Sequence, residues 1–438
     1  MSGGSGLSGL AGMGGGPGRG RHRGRHRRHG YGATSMGGAA VGLAVPLVVV
    51  LVVCAVIFGV VQVLRSAPAP TVRADETVFT AAGGHLSLPW PTQGSAAIAV
   101  AGTGLVGTAG SSSTPQPIAS ITKLMTALVV IHDHPLGVGE PGPTITITPA
   151  DAATYQADVA TQQSVVAVTA GEHLTEVQAL EAMLVPSGNN MATALAIWDA
   201  GSVSAFVAKM NARAAAMGLT RTHFAGPSGL NPASVSTAPD LIRLGEAVMA
   251  NPVLASMVGM AQVTLPVAGT VYNYDYNLGH NGFIGIKTGS DGQAGGCFLF
   301  DAAESVGGTT VHIIGAVLGQ QTPPIIQTAE SDATSLVQAL QPHLAQRPLV
   351  TKGQKVAEVT TAWGASAPVV AAQGFATMTW PGMQVPTDVT VGHLPPSLRR
   401  GQQIGTLRLD VGGTTHDIPL VMGANLGGPS IGYKLTNV

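Results

Sequence analysis

The sequence predicts an α+β protein with one membrane-spanning helix near its N-terminus and a small all-β module at its C-terminus. Three patterns predict it. An uncharged apolar run fills residues 39–64; apolar positions recur at helical spacing from Ser120 to Pro252 and give way to strand-like runs after Val271; helical signals vanish beyond Val350. The chain has 438 residues, room for two or three domains.

Charge is divided unevenly. From Met1 to Arg65 there are seven arginines and no acid, whereas the remaining residues carry 14 basic and 22 acidic side chains, a formal −8. The segment GRGRHRGRHRRHG, residues 18–30, lies in a Gly-rich tail (1–38) that cannot build a core and is expected to be a solvated, disordered arm. No aromatic platform surrounds its arginines, so nucleic acid is not an expected partner.

The run AAVGLAVPLVVVLVVCAVIFGVVQVL, residues 39–64, has no charge and is long enough to cross a bilayer. It exceeds the about 7–15 apolar residues of a cleaved signal peptide, so an uncleaved signal anchor is expected. Six arginines on its N-terminal side predict a cytoplasmic N-terminus and an exported remainder. Pro46 is tolerable near the end of such a helix. Cys54 falls inside the run and Cys297 far outside it, so no disulfide is expected and stability must come from a packed core.

Residues 65–77, Pro/Ala-rich and polar, read as a linker. SAAIAVAGTGLVGTAG (95–110) reads as two strands joined by a Gly turn. A helix starts near Ser120, and the loop HDHPLGVGEPGPT follows. Its His132, Asp133 and His134 lack a third ligand at convincing spacing, so a solvated loop is expected and no metal. Helical regions follow at 173–200, broken at VPSGNNM, at 204–219, and at 239–252. FIGIKTG, GGCFLFDAAE and TTVHIIGAVLG read as strands, DATSLVQALQPHL as a last helix, and the rest to about Leu420 as a small all-β module. No internal repeat is present.

The stretch PIASITKLMTAL (117–128) places a lysine at the entrance of an apolar helix, where the macrodipole disfavours a cation and a capping box would want Glu or Gln. Ser120-Ile-Thr-Lys123 is the first of three short motifs. Ser187-Gly-Asn189 lies between helices, and Lys287-Thr-Gly289 lies on a strand. Taken singly, each has an ordinary reading: a cap, a turn, the polar end of a strand. Together they match the S-x-x-K, S-x-N and K-T-G set of serine acyl-transfer enzymes that act on penicillins and cell-wall peptides.

The residue types suit that chemistry. A serine hydroxyl is a weak nucleophile until a base takes its proton. One helical turn brings Lys123 beside Ser120. Burial, the helix N-terminus and a second ammonium at Lys287 would all disfavour charge on Lys123 and fit it to act as that base. Ser187 and Asn189 are expected to relay protons and hold the substrate amide. Lys287 and Thr288 are expected to bind the substrate's terminal carboxylate, and Gly289 to leave the strand edge open. The backbone N–H groups of Ser120 and Ser290 are candidates for an oxyanion hole.

The chain resembles the D-alanyl-D-alanine carboxypeptidase family of serine peptidases, the low-molecular-mass penicillin-binding proteins. LVPSGNNMATALA resembles the flanks of the family's second motif, and GIKTGSDGQAGGCFLF its third. FVAKMNARAAAMGLTRTHFAGPSGL followed by STAPDLIRLGEAVM resembles the stretch between them. RRGQQIGTLRLDVGGTTHDIPLV resembles the β-sandwich that follows the catalytic domain. The resemblance covers residues 78–425. It implies a β-lactamase/penicillin-binding-protein-like catalytic domain (78–345), an antiparallel sheet flanked by helices plus a helical subdomain, followed by a small β-sandwich (350–438). It also implies removal of the terminal D-alanine from peptidoglycan stem pentapeptides through an acyl-enzyme, inhibition by β-lactams, and no cofactor.

Two departures stand out. Many members have His where this chain has Ser290, and many are held by a C-terminal amphipathic helix, for which the tail GANLGGPSIGYKLTNV has too little apolar face. The N-terminal span is expected to replace it. Two alternatives accompany this reading. A β-lactamase of the same fold would need a glutamate-activated water, and no motif places one, although Glu172 and Glu181 lie in the intervening region. A catalytically silent wall-binding protein would have no chemical need for both lysines.

Overall fold

The computed structural model describes residues 39–75 and 78–437, so the arginine-rich tail lies outside the described part. The chain divides into two units, residues up to 66 with 430 onward, and Ala67–Pro429.

In the first unit, α1 (Ala39–Leu64) is long and apolar enough to cross a membrane. At 1.5 Å per residue its 26 residues span about 39 Å. The short C-terminal helix Ile431–Thr436 lies against its end. Leu435 approaches Gly59, and Lys434 Nζ donates to the Val63 carbonyl at 2.8 Å, satisfying one of the acceptors a helix C-terminus leaves open.

The second unit is built on a five-stranded antiparallel sheet in the order Phe283–Asp291, Gly295–Val306, Thr309–Gln320, Ser95–Val100, Gly104–Gly110. Both faces are covered, so SAAIAV is buried at every position instead of alternating. Ala97, Ala99, Leu299 and Ile314 join the core of the helical part, while Ala96, Ile98, Phe298 and Phe300 face the long helix Ile325–Leu340. That helix starts seven residues before the expected DATSLVQALQPHL segment.

The helices of the other face are α2 (Lys123–Asp133), α3 (Pro149–Ala160), α4 (Glu176–Leu184), α5 (Asn189–Ala200), α6 (Val203–Ala216), α7 (Ala238–Met249) and α8 (Pro252–Val258). Their boundaries follow cap chemistry. Thr175 accepts from Gln178 N in a reciprocal capping box, α5 ends at Gly201 with φ +72°, and Ser202 and Thr237 cap α6 and α7. Asn251-Pro252, expected only to close α7, also opens α8: Asn251 Oδ1 accepts from Val253 N and Leu254 N, and Pro252 takes the first helical position. The expectation did not include α3, although Thr148-Pro-Ala-Asp151 is a complete capping box ahead of it.

The C-terminal module is a seven-stranded antiparallel sheet in the order 71–74, 355–360, 366–371, 414–422, 403–411, 384–391, 78–80. This corrects the linker. Thr71–Ala74, in the expected linker, pairs with Lys355–Thr360, and Val78–Thr80, at the expected start of the catalytic domain, pairs with Gln384–Val391, so these two strands supply both edges of the C-terminal sheet. Unpaired edge strands are a liability, and Thr71-Val72 and Val78-Phe79 are β-formers despite the proline-rich surroundings. Four peptide units join Ala74 to Val78 and reach at most about 14 Å. Seven flat strands would put the edges about 29 Å apart, so the sheet must curl.

Candidate active site

Ser120 sits in a 3-10 turn, Ala119–Thr122, immediately before α2, and Ala119 adopts φ +45°. The serine is therefore no N-cap, and its hydroxyl makes no capping bond to the helix. The expected one-sided apolar stripe is also exceeded. Every residue of α2 from Lys123 to Ile131 is buried, which makes it a central helix.

Lys123 is fully buried and its Nζ makes three hydrogen bonds: to Ser120 Oγ at 2.8 Å, Asn189 Oδ1 at 2.6 Å and the Ser228 carbonyl at 2.9 Å. Burial holds its pKa well below the ordinary lysine value, the Lys287 charge adds to this, and Asp158 opposes it. A neutral amine donates two protons and keeps one lone pair. In that form, with Asn189 Oδ1 and the Ser228 carbonyl taking the two protons, the lone pair would face Ser120 Oγ–H.

The second motif forms the entrance of α5. Ser187 is buried with φ +62°, and Gly188 is required beside it because an added Cβ would lie 2.7 Å from the Ala182 carbonyl oxygen. Asn189 donates Nδ2 to Gln163 Oε1 at 3.1 Å, which orients its Oδ1 toward Lys123. Its neighbour Asn190 does different work, clamping Val166 through Oδ1 (from Val166 N, 3.0 Å) and Nδ2 (to Val166 O, 2.9 Å).

The third motif lies on the outer strand of the five-stranded sheet. Lys287 and Thr288 are buried and Ser290 is exposed. Burial lowers the Lys287 pKa to about 8, and Asp275 opposes the shift. Asp275 is itself pushed up to about 6 by burial, and its Oδ2 has no hydrogen-bond partner among the described residues. The strand edge is open, but the need for glycine at 289 has another cause. An added Cβ would lie 3.0 Å from Ser120 N and 3.1 Å from the Ile118 carbonyl oxygen, so Gly289 lets the strand press on the Ser120 turn.

Ser120, Lys123 and Asn189 are thus joined directly by hydrogen bonds, Lys287 couples to Lys123 through charge, and Gly289 touches the Ser120 backbone. Ser187, Thr288 and Ser290 make no hydrogen bond to that trio among the described residues. Sequence reasoning did not assign the loop 226–230 to the site. Its Ser228 carbonyl binds Lys123, the Pro227 carbonyl accepts from Thr126 Oγ1 at 2.7 Å, and Gly229, φ +85°, leaves room for the Ala119 carbonyl. Two glycines bracketing a proline and a serine were the available signal. Glu172 is committed to Thr169 N and Val267 N, and Glu181 lines a separate cavity of about 460 Å³. Asp133 accepts from Lys209, and His134 meets Asp199.

This fold is the penicillin-binding-protein fold. Penicillin binding protein 5 from Haemophilus influenzae matches over 78% of this chain and 100% of its own with a TM-score of 0.59 at 22% identity, a likeness of fold. The Streptomyces K15 DD-transpeptidase matches over 58% of this chain and 98% of its own, with a TM-score of 0.51 and 30% identity. In sequence, a D-alanyl-D-alanine carboxypeptidase of Streptomyces sp. (strain K15) is 32% identical over 253 residues, 54% of this chain and 82% of that relative. The family described as D-alanyl-D-alanine carboxypeptidase matches residues 89–322, which hold all three motifs. The chain belongs to the D-alanyl-D-alanine carboxypeptidase family of serine peptidases.

Proposed function

We propose that this chain removes the terminal D-alanine from peptidoglycan stem pentapeptides through an acyl-enzyme on Ser120. The observation that carries the reading is the placement of Lys123 Nζ, buried and 2.8 Å from Ser120 Oγ with its other two directions taken by oxygen acceptors. Ser120 Oγ bonds to the carbonyl carbon of the penultimate residue as its proton passes to Lys123. The C–N bond breaks, and the proton leaves on the D-alanine amine with Ser187 as relay. Water then attacks the ester and restores Ser120.

Asn189 holds the substrate amide and Lys123 together. Lys287 and Thr288 bind the terminal carboxylate, and the N–H groups of Ser120 and Ser290 receive the oxyanion. Residues 39–64 tether the enzyme in the membrane with the arginine-rich tail in the cytoplasm, which places the catalytic unit on the substrate's side. In this reading the catalytic domain ends near 345, and the β-module comprises 350–429 with the strands at 71–80. β-Lactams acylate the same serine. Full-length protein in detergent, incubated with penicillin and followed by intact mass, tests the reading. A long-lived adduct on wild type and none on Ser120→Ala is expected; an adduct that vanishes within seconds would point to a β-lactamase, and none at all to a silent binding protein.

A further inference from the structure

The segment Tyr272-Asn-Tyr-Asp-Tyr-Asn277 alternates strictly between braced and exposed side chains. Asn273 Nδ2 donates to the Met260 carbonyl at 3.0 Å, and its Oδ1 accepts from Asp275 N at 3.0 Å. Asp275 Oδ1 accepts from Asn277 N at 3.0 Å, and Asn277 Nδ2 donates to the Glu330 carbonyl and Thr334 Oγ1, each at 3.0 Å. The Tyr276 N–H donates to Glu330 Oε1 at 2.9 Å. The intervening Tyr272, Tyr274 and Tyr276 are 63%, 43% and 58% exposed. Single exposed aromatics need no explanation, whereas three exposed tyrosines in five residues, on a backbone pinned at both ends, are a local concentration held in place before any partner arrives.

Position and charge narrow its partner. The segment runs directly into the Lys287 strand: Gly279 N donates to the Phe283 carbonyl, and Gly259, next to the Met260 that anchors Asn273, packs on the Ile284 carbonyl. Asp275, at the centre of the segment, couples to Lys287 through charge. Between Gly269 and Gly282 the only acid or cation besides His280 is Asp275, and it is buried, so the segment itself presents no Lys, Arg or exposed carboxylate. A nucleic acid or an anionic membrane would be met by Lys and Arg. An apolar helix would be met by an apolar groove. Tyrosine offers a flat apolar face with a hydroxyl at its rim, which matches an uncharged, polyhydroxylated ring carrying C–H groups on its faces.

We infer that Tyr272, Tyr274 and Tyr276 form a stacking platform for the glycan strand to which the stem peptide is attached. The inference rests on the proposed peptidase reading for its choice of substrate, and the test separates the two. Full-length Tyr272→Ala/Tyr274→Ala/Tyr276→Ala is compared with wild type on a disaccharide-linked pentapeptide and on the free pentapeptide. Single Tyr274→Ala serves as a second variant should the triple fold poorly, judged by penicillin acylation. KM for the disaccharide substrate is expected to rise roughly tenfold in the triple variant, with kcat/KM for the free peptide unchanged. In parallel, Ser120→Ala protein with and without the tyrosine changes is co-sedimented with glycan strands stripped of stem peptides, and the tyrosine changes should abolish pelleting. Equal effects on both substrates would mean that the segment only braces Lys287 and would overturn the platform. Unchanged pelleting, or loss of vesicle binding or of self-association in its place, would overturn it too. If wild type turns over neither substrate, the peptidase reading falls while the sedimentation still decides the platform.

Discussion

Asn189 Oδ1 accepts a 2.6 Å hydrogen bond from Lys123 Nζ, shorter than the 2.8 Å between that nitrogen and Ser120 Oγ. The asparagine therefore fixes which proton of the amine is spent where. Lys123→Ala should lower penicillin acylation by about 10²–10⁴, and Lys123→Arg should not restore it, because a guanidinium does not give up its proton. Asn189→Asp should act through charge: a carboxylate beside Nζ favours the ammonium, so the acid limb of the acylation rate moves to higher pH. Stopped-flow acylation against pH reads both effects.

In the proposed mechanism the two buried lysines serve in opposite protonation states. Lys123 would have to be neutral to act as base, so kcat/KM should rise as pH passes its lowered pKa. Lys287 would have to be charged to hold a carboxylate, so kcat/KM for a peptide should fall as pH rises through about 8. Asp275 is what keeps Lys287 from falling further. Asp275→Asn should thus move the alkaline limb to lower pH and leave the acid limb in place, and a pH profile in which both limbs stay put would refute the assignment.

Two glycines differ in what a methyl group would cost. At Gly229 the Cβ would lie 1.8 Å from the Ala119 carbonyl oxygen in a left-handed backbone, so Gly229→Ala should cost more than about 3 kcal/mol and abolish acylation. At Gly289 the contact is 3.0 Å to Ser120 N, which a shift of a few tenths of an ångström relieves. Gly289→Ala should fold with a near-normal melting temperature and acylate about 10–100-fold more slowly. Thermal melts set beside acylation rates separate the two.

How much of this was legible depends on whether the signal was local. The Ser120, Ser187 and Lys287 motifs are short and read directly, whereas no cap was expected at Thr237 and Asn251 was expected only to close α7, although both lie beside the helices they start. The Ser228 carbonyl carries no sequence signature, since any residue has one; only the fold brings it to Lys123 across 105 positions. The same holds for Thr71–Ala74, whose partner strand lies far along the chain and whose proline-rich surroundings read as a tether. The α3 helix was hidden for a different reason: no residue of it is buried, so it lacks the apolar period that reveals a helix, although its capping box was in view.

Glu176 gives a prediction about stability away from the catalytic lysines. It is fully buried at the start of α4, neither carboxyl oxygen has a hydrogen-bond partner among the described residues, and burial, with Asp199 adding to it, raises its pKa to about 7. A carboxyl whose folded pKa exceeds the unfolded value contributes its stability below the unfolded pKa, near 4.3, and loses it as pH rises through the folded pKa of about 7. The wild type should therefore lose on the order of 1–3 kcal/mol from this group between pH 5 and pH 8. Glu176→Gln keeps the shape and cannot ionise, so its melting temperature should exceed the wild type's at pH 8 by several degrees and match it at pH 5. A difference that is the same at both pH values would mean that Glu176 is not ionising in the folded protein.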